Sequence, residues 1–263
     1  MKRNLIHAAS SAAVLAAVLF FWRIVIWIFA IPGYMLPTPK EVATEAIARF
    51  PSLISSFLIT AEAAAGGLIA AILIGVAIAL FFAQFRWVRK LLMPYTILLQ
   101  TVPIIAIAPL IIMWVGSGIF AVGLIAFIIC VAPIIANTTQ GLISVDENMV
   151  NLFLMQSASS MQILFKLRLP HALPALFTGL RISSGIAVIG AIIGELFAGS
   201  VSVGHGGLGY SITYAQAQMQ TSYLFALVVA STVLGFLFFF VVMFLEYFFL
   251  HNWHESVRTQ DNQ

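Results

Sequence analysis

Glu62, Arg181 and Glu195 are ionisable side chains set within long apolar stretches of the 263-residue sequence. An uncompensated charge is costly in such a setting, so each is a functional candidate by default. As a set, two carboxylates and a guanidinium could mark an ion pathway through a bilayer. As enzyme groups they fail, because Glu62 and Glu195 stand alone in different stretches, without the paired carboxylates of acid–base work. Glu62 also suits a plain headgroup-level carboxylate. His251 and His254 are one helical turn apart and could share a metal, yet only the tail residue Glu255 offers a third ligand. An interfacial anchor beside Trp253 is the simpler reading. His205, flanked by glycines, reads as a loop histidine. The sequence has no G-x-x-x-x-G-K-[ST] phosphate loop, no H-E-x-x-H and no G-x-S-x-G. No catalytic residue, metal set or cofactor is assigned, and ATP hydrolysis by this chain alone is not expected.

The elements that must position these groups are membrane helices. With 62% hydrophobic and 8% charged residues, the chain lacks the charge to cover a soluble surface. Mean hydropathy of +1.08 says the same. The net charge of +3 reports topology rather than nucleic-acid binding. Cys130 is the single cysteine and reads as a small buried hydrophobe. The predicted fold is all-α, a polytopic bundle forming one domain over 1–263, with six spans at 8–31, 55–82, 94–114, 119–138, 174–199 and 223–250. The first follows Lys2 and Arg3 and carries Arg23. A signal peptide would begin similarly, but no small-x-small site leads into polar sequence, so an uncleaved span is expected. Lys40 to Phe50 reads as a short amphipathic segment on the outer surface.

Gly67, Ala71, Gly75 and Ala79 recur every four residues in the second span, a spacing that lets helix backbones approach. Pro103 and Pro109 should kink or partly unwind the third, near Gln100 and Thr101. The fifth is the most polar, with Ser183, Ser184 and Glu195. We take Gln100, Thr101, Ser183, Ser184 and Glu195 as candidate lining of a translocation pathway. Ser200 to Ser222 reads as an uncharged outer loop. Lys2, Arg3, Arg86, Arg89, Lys90, Lys166, Arg168 and Arg258 then fall inside, and only Lys40 and Arg49 outside. Both termini are expected in the cytoplasm.

Ser144 to Pro170 is a polar island between the fourth and fifth spans, and that topology places it on the cytoplasmic face. Ser144 with Glu147 fits a capping box, as does Ser159 with Gln162. Two short helices joined by a turn at Gln156–Ser160 are expected, the second ending before Pro170. A membrane bundle with kinked helices, no phosphate loop and a structured cytoplasmic helix pair would need an engine from outside.

Four segments carry a family resemblance: LPTPKEV (Leu36–Val42), QTVPIIAIAPLIIMWVGSG (Gln100–Gly118), KLRLPHALPALFTGLRIS (Lys166–Ser183) and GGLGYSI (Gly206–Ile212). In this order they resemble the permease subunits of binding-protein-dependent ABC importers, in the nitrate/sulfonate/taurine-type branch. The resemblance implies a type I permease fold in a bacterial inner membrane, two ATP-binding subunits, a periplasmic solute-binding protein and a second permease copy. It also implies a coupling loop over 141–173 whose E-A-A-x-x-x-G pattern docks on the ATPase. Here Asn151, Leu152 and Phe153 stand for E-A-A and Ser157 for the glycine, whereas Ala158, Ser159, Leu169 and Pro170 agree with the pattern. Asp146 and Glu147 belong to the same docking segment. With Asn151 in place of a glutamate, docking is expected through shape and apolar contact.

Overall fold

The computed structural model describes residues 2–199 and 206–251, with side chains from residue 13 onward except at residue 15. The side chains of Lys2 and Arg3, the loop histidine His205 and the tail residues Trp253, His254, Glu255 and Arg258 lie outside the described residues.

The described chain is helical: α1 (Lys2–Ile28), α2 (Pro39–Ala48), α3 (Phe50–Gln84), α4 (Arg86–Leu99), α5 (Ile104–Val115), α6 (Ile119–Ile143), α7 (Glu147–Met155), α8 (Ser160–Ile163), α9 (Leu169–Ala198), α10 (Leu208–Ala217) and α11 (Thr221–Leu250). One π-helical turn, Leu164–Arg168, joins α8 to α9. Helix α2 starts in a capping box, Thr38 with Glu41, with Pro39 in its first turn where no backbone donor is lost.

Helices α3, α6 and α9 form the core, with the most extensive contacts joining α6 to α9 and α3 to α6. Small residues make that approach possible. A Cβ on Gly67 would collide with α6 at Gly123 and Ala126, and one on Gly75 would stand 2.9 Å from Ile134. Ala71 and Ala79 are fully buried on the same face. From α9, Gly190 and Gly194 press on Ala126 and Val122 of α6, so this GxxxG pair serves packing within the chain. Helix α11 shows Phe236, Phe240, Phe244 and Phe248, spaced every fourth residue, to its surroundings. Trp22 of α1 rests against Phe225 of α11, ring centroids 5.8 Å apart.

Several expected boundaries change. Among the described residues, four helices are long and apolar enough to cross a membrane, and α4 with α5 supplies a fifth candidate bent by 97°. The third stretch is therefore broken at Gln100–Pro103, where the backbone leaves helical geometry before the proline, while α5 continues through Pro109. Helix α6 runs on to Ile143, which makes Ser144 its C-cap: the hydroxyl donates to the Gly141 carbonyl, and the box with Glu147 does not form. Asp146 caps α7 instead, accepting from the Asn148 N–H at 2.7 Å. The Ser159–Gln162 box forms as expected. The second short helix does not stop before Pro170, because the π-turn carries the chain on and Pro170 falls in the first turn of α9, where its missing N–H costs nothing. The fifth helical run thus spans Ser160–Ala198, and α10 occupies part of the expected outer loop.

Candidate functional site

The polar island between α6 and α9 carries α7. Helix α7 buries none of its residues, although four of its nine are Met, Leu or Phe within LFLM. Leu154 is 54% and Met155 84% exposed, Leu152 is exposed, and Phe153 is half-buried. Asn151 is exposed beside them. Helix α7 ends in two backbone bonds that define a Schellman turn: Ala158 N–H to Phe153 carbonyl, 3.0 Å, and Ser157 N–H to Leu154 carbonyl, 2.9 Å. The residue after the cap in this motif must enter the left-handed region, and Ser157 does so with φ of 57°. That requirement explains why a glycine suits this position, and serine holds it at some cost in strain.

Behind the exposed helix the segment is anchored. Arg168 donates to the Ala83 carbonyl at the last turn of α3, 3.0 Å away. Leu164 packs with Leu142, Ala172, Ala79 and Ala83, and partly buried Leu169 joins that cluster. Pro170 sits half-buried at the start of α9. A force applied to α7 would therefore pass through a short, packed link into α3, α6 and α9.

At the other end of α3 lies a buried knot built on Glu195, which is 3% exposed. Its Oε2 accepts from the Thr60 hydroxyl at 2.9 Å and from the Gly209 N–H at 2.8 Å. The Leu208 N–H donates to Thr60 Oγ1, also at 2.8 Å. Two of the free N–H groups at the start of α10 are thus satisfied from other helices, and a carboxylate faces the positive end of the α10 dipole. Glycines are required here: a Cβ on Gly207 would overlap the Glu195 carboxylate, and one on Gly209 would run into the Ile192 carbonyl. The second carboxylate oxygen, Oε1, is buried without a hydrogen-bond partner among the described residues.

The remaining pathway candidates have separate surroundings. Ser183 and Ser184 are fully buried. Ser183 donates to the Cys130 carbonyl at 3.0 Å while the Cys130 thiol donates to the Ser183 carbonyl at 3.3 Å, a reciprocal tie between α6 and α9. Ser184 turns back onto the Arg181 carbonyl. Gln100 and Thr101 are exposed in the break between α4 and α5. Arg181 pairs with Glu246 of α11 at 3.2 Å, not with either acid singled out from the sequence. Glu62 lies at an apolar groove of about 430 Å³ between α3 and α6. Thr60, Gly207, Gly209 and Glu246 are the site residues that sequence reasoning missed. Glu246 carried a signal, an acid inside an otherwise apolar run, and Gly207 and Gly209 lay within the GGLGYSI segment without a role assigned to them.

Residues 67–251 match the family model described as binding-protein-dependent transport system inner membrane component. The chain is 32% identical over 217 residues to the riboflavin transport system permease protein of Chloroflexus aurantiacus, covering 80% of this chain and 78% of that protein. It is 31% identical over 213 residues to a probable ABC transporter permease protein of Haemophilus influenzae, covering 81% and 85%. A chain of the MetNI methionine ABC transporter, solved in inward-facing conformations, shares the fold with a TM-score of 0.58 at 20% identity, over 74% of this chain and 97% of that one.

Proposed function

The chain belongs to the family of binding-protein-dependent transport system inner membrane components, and on that premise we propose that it is the membrane-spanning permease subunit of an ATP-driven importer. It carries a small polar solute from periplasm to cytoplasm by alternating access. The solute falls within the range that the resemblance spans, from sulfonates, taurine and nitrate to vitamin precursors. Two ATP-binding subunits supply the energy, a periplasmic binding protein delivers the solute, and a second copy of the chain completes the pathway.

The observation that carries this reading is α7: a helix with no buried residue that displays Leu152, Leu154 and Met155 while its flanks are anchored to α3 and α6. Such a helix is unfinished without a partner. Asp146, Glu147, Asn151, Leu152, Phe153, Ser157, Ala158 and Ser159 form the docking element, and Leu169 with Pro170 passes its movement into α9. The same reading gives six crossings in one domain, counting α1 and the broken α4–α5 pair, with both ends and α7 in the cytoplasm. Gln100, Thr101, Ser183, Ser184 and Glu195 belong to the pathway or its walls, exposed to solute as the helices reorient. A self-sufficient ion-coupled carrier built on Glu62, Arg181 and Glu195 gains no support, since Arg181 pairs with Glu246, Glu195 caps α10 and Glu62 lies at a separate apolar groove.

The test is reconstitution in liposomes. The chain with its ATP-binding subunits and binding protein should show solute-stimulated ATP hydrolysis and ATP-dependent uptake. Uptake by the chain alone down an ion gradient, without ATP, would overturn the proposal.

A further inference from the structure

The starts of α3, α10 and α11 enclose a recess of about 590 Å³ at the end of the bundle opposite the coupling segment, a volume within the range of small-molecule sites. Three tyrosines and four serines make up most of its lining. Tyr210 and Tyr214 stand one turn apart on α10 with ring centroids 6.3 Å apart and planes 25° from parallel. Tyr223, from the first turn of α11, adds a third ring. Hydroxyls supply the hydrogen bonding, with Ser56 of α3 and Ser211 of α10 in contact at 2.8 Å. The Glu195 knot fixes the start of α10 and so sets where Tyr210 and Ser211 stand.

Among the described residues, Arg49 is the one charged side chain lining the recess. Its Nε pairs with Glu45 at 3.2 Å, a terminal nitrogen donates to Gln220, and the guanidinium lies 4.8 Å from the centre of the Tyr223 ring. An anion placed against Arg49 would meet a guanidinium whose charge is already partnered by Glu45, which weakens the attraction. The anion would also have to shed its water, and the positive end of the α10 dipole, which could otherwise receive it, is already met by Glu195. A flat, uncharged ring needs no free positive charge. Tyrosine faces stack on any π-surface, and serine and phenol hydroxyls both donate and accept at the ring's edge.

We propose that this recess is a solute-receiving site whose ligand is an uncharged planar heterocycle with hydrogen-bonding edges, rather than nitrate or a sulfonate. The inference rests on the importer reading above, because it takes the recess to lie on the solute's route.

Equilibrium dialysis of radiolabelled cytosine, lumichrome, taurine and nitrate against the full chain in lipid nanodiscs tests it. At least one heterocycle should bind about tenfold more tightly than either nitrate or the zwitterionic sulfonate taurine. Tyr210→Ala and Tyr214→Ala should each weaken that binding about tenfold, the size of one lost stacking partner. Tyr210→Phe, which keeps the ring, should retain most of it and controls for misfolding. Tighter binding of taurine or nitrate, no binding of either heterocycle, or alanine variants that bind like the parent would each overturn the proposal. The liposome assay separates its failure from that of the importer reading. ATP-driven uptake that ignores the tyrosine variants refutes the recess alone, whereas absence of ATP-driven uptake refutes the importer.

Discussion

Helices α7 and α10 are both short, and both start under a carboxylate, but the carboxylates come from different places. Asp146 caps α7 from within its own turn, exposed to solvent. Glu195 caps α10 from another helix, buried, with Thr60 of a third helix completing the set. Helix α10 buries Leu208, Gly209 and Ala215, whereas α7 buries nothing. A local cap makes a helix that forms wherever the chain goes. A tertiary cap makes a helix that exists only in one place. The difference separates a helix fixed within the fold from one left available to a partner, and it is what the following experiments address.

The comparison breaks if the two helices respond alike to substitution, and the largest effect belongs to Gly209. A Cβ there meets the Ile192 backbone, which cannot rotate away. Gly209→Ala should lift α10 from α9 and cost about 3 kcal/mol, the upper end of ordinary overpacking. Thermal unfolding of the purified chain, followed by size-exclusion chromatography, measures it. Gly207→Ala displaces the Glu195 carboxylate instead and should cost about 2 kcal/mol. Combining it with Glu195→Ala should cost less than the two singles added, since the second change removes the atoms that the first strikes. Strict additivity would mean that the carboxylate is not what Gly207 makes room for. On α7, Asn151→Ala should stay within about 0.5 kcal/mol of the parent.

Function should invert this order. Phe153→Asp places a charge on the half-buried rim of α7, away from the core. We expect uptake to fall about tenfold, comparable to losing one central interface contact, while ATP hydrolysis, membrane insertion and the unfolding temperature hold. Normal uptake in that variant counts against α7 as the docking element.

The sequence revealed α7 more readily than α10, for physical reasons. A capped run with helical spacing between two apolar stretches is local information, so the island at Ser144–Pro170 was visible, as was the small-residue ladder from Gly67 to Ala79. Errors there were competitions between neighbours: Asp146 lay closer to the free N–H groups than Ser144, and a π-turn moved Pro170 into a tolerated position. The knot at Glu195 had no such signature. Thr60 is far in sequence from Glu195 and Gly209, and the four glycines in GHGGLGY suggest a loop until the carboxylate beside Gly207 is known. Arg181 and Glu246 failed to be matched for the same reason. Polar side chains inside apolar runs announce that a partner exists, without saying which one.

The smallest effect lies at the end of α7 and sharpens the comparison from its unfinished side. Ser157 occupies the left-handed position of the Schellman turn at φ of 57°. A residue with a Cβ loses about 1–2 kcal/mol there. Glycine avoids that loss but gives up about 0.5–1 kcal/mol of unfolded-chain entropy. Ser157→Gly should therefore stabilise the chain by about 0.5 kcal/mol, a rise of about 1–2 °C in unfolding temperature. The two backbone bonds of the turn, from Ser157 and Ala158, need no side chain and remain. If α7 docks through its apolar face, uptake per ATP hydrolysed should not change, because the hydroxyl is not part of that face. A loss of coupling with the turn intact would instead make Ser157 a contact in its own right, and docking would then depend on more than shape and apolar area.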